Sequence, residues 1–215
     1  MERIELIGSQ ISAEMEAEYR RLGYDLGWRF LTCPIKNINR SFIAIIFINP
    51  GGNAFEMASV SVEHGSAYVV ESWKGNPPGE ETLQVQIRRM CELLSVQPVE
   101  VLSGYLVPFR SRNWNLLPNK TEALNFGRSL WKKLLLRAKL QTIIVVGKET
   151  RAFLNPLFAS EPVQIFASDW GRQTIDVTFG PGGERIVAVP HLSRFRLFNR
   201  PRSEGAFQRA LLASY

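Results

Sequence analysis

The chain has 215 residues, 45% of them hydrophobic and 21% charged, with a formal net charge of +6, an ordinary globular composition that reads as one domain over 1–215. Two cysteines (Cys33, Cys91) and two histidines (His64, His191) are too few for a disulfide framework, a conventional zinc or iron–sulfur centre or a histidine-based metal site, so no metal and no cofactor is expected. MERIELIGSQ does not read as a signal peptide and no run is long and apolar enough to span a bilayer, so a monomeric cytoplasmic protein without a membrane partner is expected.

Along the chain, SAEMEAEYRRLGYD predicts an exposed amphipathic helix, about 10–23, ending at Gly23. SFIAIIFI reads as a buried strand that breaks into Asn49-Pro50-Gly51-Gly52. PPGEETLQVQIRRMCELLSV follows as a helix with Leu83, Ile87, Met90 and Leu94 at helical spacing, then VEVLSGYLVPF as a strand. NKTEALNFGRSLWKKLLLRA is the clearest helix, with Asn119 and Glu122 placed as a capping box and Leu124, Gly127, Trp131, Leu134 and Leu135 towards one side. TIIVVG is a strand and KETRAFLNPLF a helix, and QTIDVTFG and ERIVAVPH are strands joined by a hairpin-like GPGG. The strand–helix alternation, with strands apolar on both faces, predicts an α/β three-layer α/β/α sandwich around a mainly parallel sheet.

In such a sheet the ligand crevice lies beyond the carboxyl ends of the strands. Strands ending at Asn49-Pro50-Gly51, Pro108-Phe109-Arg110, Gly147-Lys148 and Pro190-His191 would converge on one rim. Asn49 alone is equally a turn amide, and His191 alone equally a capped core histidine. Other chemistries find little support. VVGKET is no phosphate-binding loop, since Thr142 stands where its first glycine belongs and Glu149 follows the lysine. No GxGxxG is present, and no carboxylate pair closes the strands as an ordinary glycosidase needs. The basic charge favours a polyanion. HLSRFRLFNRPRSEGAFQR gathers Arg194, Arg196, Arg200, Arg202 and Arg209, and PFRSRNW adds Arg110 and Arg112. Both interleave cations with aromatics, as phosphates and unstacked bases favour.

Four segments in order, FINPG (Phe47–Gly51), YLVPFRS, IIVVGKETRAFL and HLSRF (His191–Phe195), resemble the motifs of the uracil-DNA glycosylase superfamily. The resemblance spans about 41–212. It implies that Asn49 holds the attacking water and His191 donates to the departing pyrimidine. It places Phe47, Ile48, Pro50, Gly51, Tyr105 and Phe109 around the base, with Tyr68 as a second stacking candidate beside Phe109. Ser193 would contact a phosphate, supported by Arg194, Arg196 and Arg110. Phe195 would fill the gap left by a flipped base, with Leu192 and Arg194 as neighbouring wedges.

Three features, at four positions, depart from the family pattern. Phe47 replaces a glycine, Leu192 and Arg194 replace prolines, and Tyr105 stands where an asparagine reads the pyrimidine edge. A phenol cannot offer that paired donor and acceptor, and Gly51 leaves open the side of the base that an aromatic closes in uracil-strict members. The expectation is a monofunctional DNA glycosylase acting on an altered pyrimidine, uracil or a 5-substituted base, including a bulky modified cytosine of phage DNA. The alternative is an inert DNA- or nucleotide-binding module of the same fold.

Overall fold

The computed structural model describes residues 2–158 and 163–214. Six strands form one sheet: β1 (Ile43–Phe47), β2 (Leu102–Tyr105), β3 (Thr142–Val146), β4 (Gln164–Ala167), β5 (Thr174–Phe179) and β6 (Arg185–Val189), in the order β2-β1-β3-β6-β5-β4. β2, β1, β3 and β6 are mutually parallel, whereas β5 and β4 run antiparallel as an added edge. The α/β/α sandwich and its mainly parallel sheet are thus as expected.

The parallel strands carry apolar side chains on both faces and so need cover on both. Ala44, Ile46, Ile143 and Val145 face a layer built by α1 (Glu2–Arg21), α4 (Lys120–Leu135) and α5 (Lys148–Phe158). Ile45, Phe47, Ile144 and Val187 face the opposite layer of α2 (Ala67–Val70), α3 (Thr82–Leu93) and α6 (Pro201–Leu211). α4 lies so close to β2 that a Cβ on Gly127 would meet the Leu106 carbonyl oxygen at 2.0 Å. Only glycine allows that approach.

Three local expectations need correction. α1 begins well before residue 10, and it buries Ile11 and Met15 in the core. Asn119 does not cap α4 with its side chain. It adopts φ 49, and its Nδ2 donates to Leu22 O at 3.3 Å. This left-handed backbone turns the side chain to the α1 end. β4 had no counterpart in the sequence reading. Its alternation of half-buried and exposed residues marks an edge strand with one covered face. Among the described residues no helix is long and apolar enough to cross a membrane.

Candidate active site

The strand pairing sets the geometry of the rim. Phe47 pairs with Tyr105, Ile46 with Val145, and Val146 with Val189, so the ends of β1, β2, β3 and β6 stand level. Asn49 and His191 each follow two residues beyond that level. They are separated by β3, hence by two inter-strand spacings, about 10 Å.

Asn49 is held by the loop after β2. That loop is zipped to the Pro50–Gly52 turn by Ser111 N to Pro50 O (3.2 Å) and Gly52 N to Ser111 O (3.1 Å). The Asn49 Nδ2 donates to Ser111 Oγ at 2.8 Å, to Pro50 O at 3.2 Å and to Phe109 O at 3.3 Å. The Ser111 hydroxyl in turn donates to Asn113 O at 2.8 Å. Two of the three partners are carbonyls, and the third already spends its proton. The amide orientation is therefore fixed with its NH2 inward. No donor among the described residues reaches its Oδ1, which is left to accept from outside.

His191 is half-buried beside Gly147, whose φ of 96 suits the sharp exit from β3. A Cβ there would lie 3.7 Å from the His191 ring. Burial, and then the Arg194 charge, lowers the His191 pKa below its ordinary 6.5, so the ring is neutral at pH 7. Ser193 Oγ lies 2.8 Å from its Nδ1. The loop that follows is anchored by the buried Leu192, Leu197 and Phe198. It is also tied to α3: Gln86 Nε2 donates to Leu192 O at 2.7 Å, and Phe198 N donates to Gln86 Oε1 at 3.4 Å.

On the β2 side of the rim, away from His191, Phe47 packs on Tyr105 and Tyr68 with ring centroids 6.0 and 5.7 Å away. Tyr105 is half-buried, and its hydroxyl has no hydrogen-bond partner among the described residues. Burial raises its pKa, so it stays a phenol. Beside it Arg29 grips Glu71 through both nitrogens of its fork, and Trp73 Nε1 donates to the same carboxylate at 2.8 Å. Gly51 is exposed, with open space where its side chain would be.

Several residues assigned by resemblance fall elsewhere. Phe109 is fully buried in the α1/α4 layer, 4.7 Å from Tyr24 and stacked on Phe126, so it cannot stack on a base. Ile48 is buried in that same layer, one residue out of phase with Phe47. Arg110 is 8% exposed and ion-paired with Glu56 against Gly52, which removes it from any phosphate surface. Leu192, 1% exposed, is a core anchor rather than a wedge, and Tyr68, also 1% exposed, is core. Phe195 is half-buried against the α3/α6 layer, and Pro50 is buried with its carbonyl in the Asn49 network. Arg112, Lys148, Arg194 and Arg196 are exposed around the rim, without ion pairs among the described residues.

Ser111 and Gln86 were not singled out from sequence. Gln86 had a signal, a polar residue one helical turn before Met90 on the buried stripe. Ser111 had none, because its partner lies 62 residues away. A groove of about 410 Å³ between α3 and α6, lined by Val85, Arg88, Arg89, Pro201 and Glu204, lies off the rim. Its Arg89 is spent on Glu204 at 2.8–3.0 Å.

Both thiols are buried and unpaired, and burial pushes each up to about 12, so neither serves as a thiolate nucleophile. Among the described residues no group of three His, Cys, Asp or Glu side chains is placed to hold a metal ion. Comparison with models of protein families returns no match, and neither does comparison with curated proteins.

Proposed function

We propose that this chain is a monofunctional DNA glycosylase that flips out an altered pyrimidine and hydrolyses its N-glycosidic bond. The observation that carries the reading is the pinned Asn49 amide, whose free Oδ1 shares a rim with a neutral imidazole about 10 Å away. A nucleoside spans that separation, sugar towards one group and base towards the other.

Cleavage builds positive charge on the sugar and negative charge on the leaving base. Asn49 Oδ1 accepts a hydrogen bond from the attacking water and fixes its approach. Ser193 donates its hydroxyl proton to His191 Nδ1, which leaves Nε2–H as the donor to the pyrimidine oxygen. A preorganised donor of this kind is worth about 2.7–4 kcal/mol in the transition state. The open space at Gly51 and the unpartnered Tyr105 hydroxyl favour a base carrying a substituent at carbon 5 over plain uracil. Exposed Arg194 and Arg196 supply phosphate contacts beside the site.

The inert reading, a module that grips DNA without cleaving it, is favoured by one feature: the Phe47, Tyr105 and Tyr68 rings pack on one another at the ends of β1 and β2 rather than standing open for a base. One experiment separates the two. The chain is incubated with duplex and single-stranded DNAs carrying uracil, 5-hydroxymethyluracil, oxidised pyrimidines or a glucosylated 5-hydroxymethylcytosine, then treated with alkali. Strand breaks at one modified base, absent without alkali, support a monofunctional glycosylase. Binding with no breaks on any substrate leaves the module.

A further inference from the structure

The turn between β4 and β5 reaches the same rim. β5 is antiparallel to β6, with Asp176 opposite Ala188, so Thr174 stands level with Pro190, next to His191. The turn itself is closed tightly: Ser168 N and Oγ donate to Gln173 O at 3.0 and 2.8 Å, and Gln173 N donates to Trp170 O at 3.0 Å. It presents Trp170 and Arg172. Arg200, from the loop that follows His191, lies over the Trp170 ring with its guanidinium 3.9 Å from the centroid. That stacking holds the fork of an exposed arginine in one orientation. Arg202 lies in the first turn of α6. Arg172, Arg200 and Arg202 are all exposed and form no ion pair among the described residues, whereas the nearby Asp169 is engaged by Arg209 at 3.6 Å.

We infer that this far end of the rim is a second nucleic-acid contact, taking the phosphodiester backbone of duplex DNA at a distance from the extruded nucleotide. The inference rests on the glycosylase reading for the position of that nucleotide. From β1 to the β4–β5 turn is three to four strand spacings, about 17 Å. At about 3.4 Å of rise per base pair this corresponds to about five base pairs. Arg172 and Arg200 carry the contact, and Trp170 is a positioning residue for Arg200. The contact is one-sided, because the turn stands at one end of the strand order only.

The test uses the whole chain and duplexes with one central abasic-site analogue, which flips at little cost and cannot be excised. Affinity is measured by fluorescence anisotropy from about 50 to 200 mM salt. Arg172→Ala/Arg200→Ala should lower the log–log salt slope by about 1.8, at about 0.9 per phosphate contact, while Arg172→Lys/Arg200→Lys keeps it. Cutting one flank, and not the other, to about three base pairs should cost the wild type the same slope and cost the alanine variant nothing more. A wild-type slope and affinity in the alanine variant, or equal loss from either flank, overturns the inference. Excision is not read here. A chain that binds as described yet excises nothing loses the glycosylase reading and keeps this surface, and a working glycosylase whose alanine variant binds like wild type loses the surface alone.

Discussion

Gln86→Leu tests how the His191 loop is held. Gln86 is 2% exposed on α3, and leucine fills nearly the same volume, so the substitution removes hydrogen bonds with little cavity. The 2.7 Å bond to Leu192 O and the 3.4 Å bond from Phe198 N both disappear. An orphaned buried carbonyl costs about 1–3 kcal/mol, and the longer bond adds about 0.5 kcal/mol, for a total of about 1.5–3.5 kcal/mol. With a urea slope of about 2 kcal/mol/M, the midpoint falls by about 0.8–1.8 M. A domain of about 5 kcal/mol or more stays about 90% folded without denaturant after that loss, so unfolding removes about a tenth of the activity. Displacement of His191 removes more, since about 1 Å of misplacement costs about a hundredfold. Single-turnover excision should therefore fall tenfold to a hundredfold (order of magnitude) beside the shifted urea midpoint. Gln86→Glu, which keeps an acceptor for Phe198 but sets a carboxylate oxygen against Leu192 O, should be at least as severe. A Gln86→Leu protein with the wild-type midpoint and the wild-type excision rate would refute the argument.

The Asn49 network predicts a graded response. Asn49→Ala should slow single-turnover excision about a hundredfold or more, whereas Ser111→Ala, which removes one of three acceptors, should cost only a few-fold; equal effects would show that the amide is not pinned as described. His191 should titrate below 6.5 by NMR, and Arg194→Ala should raise that midpoint by removing a nearby positive charge. Because the unfolded chain takes up the His191 proton more readily, the stability due to the neutral ring is present above about pH 6.5 and is lost as pH falls through the folded pKa. His191→Gln should flatten this part of the pH–stability curve. Gly51→Tyr should exclude large 5-substituted pyrimidines by overlap while sparing uracil, and Tyr105→Asn should shift the excision ratio towards uracil by restoring a paired donor and acceptor. Unchanged ratios in both variants would place the base elsewhere.

The layered fold was legible because IAIIF and TIIVV are apolar on both faces, and that pattern requires helices on either side. Once the strands are parallel, Asn49 and His191 must share a rim, so the broad position of the candidate site was legible too. The facing of individual side chains beyond a strand's end was not. Phe109 sits in one of the four motif segments, yet local backbone geometry turns it into the α1/α4 layer. Arg110 reads as a surface cation until Glu56, 54 residues earlier in the chain, is brought against it. The Trp170-Gly171-Arg172 turn drew no expectation from sequence, and the antiparallel register of β5 is what carries it to the rim.

The sheet also partitions the fixtures of the candidate site. The Asn49 loop is rooted through Ile48 and Phe109 in one core, and the His191 loop through Leu192, Leu197 and Phe198 in the other. A repacking substitution in either core therefore loosens one half and leaves the other standing. Two such substitutions on opposite sides should add in stability, as distant sites do, whereas on the proposed reading the first alone suffices to stop excision, which needs both halves. Arg194, Arg196 and Arg200 lie between or just beyond the anchors of the His191 loop, so they keep their place when the α1/α4 core is repacked and lose it when the α3/α6 core is. On the proposed glycosylase reading, a lineage carrying this chain passes from cutting to clamping by mutations in the α1/α4 layer, whereas mutations in the α3/α6 layer take away both.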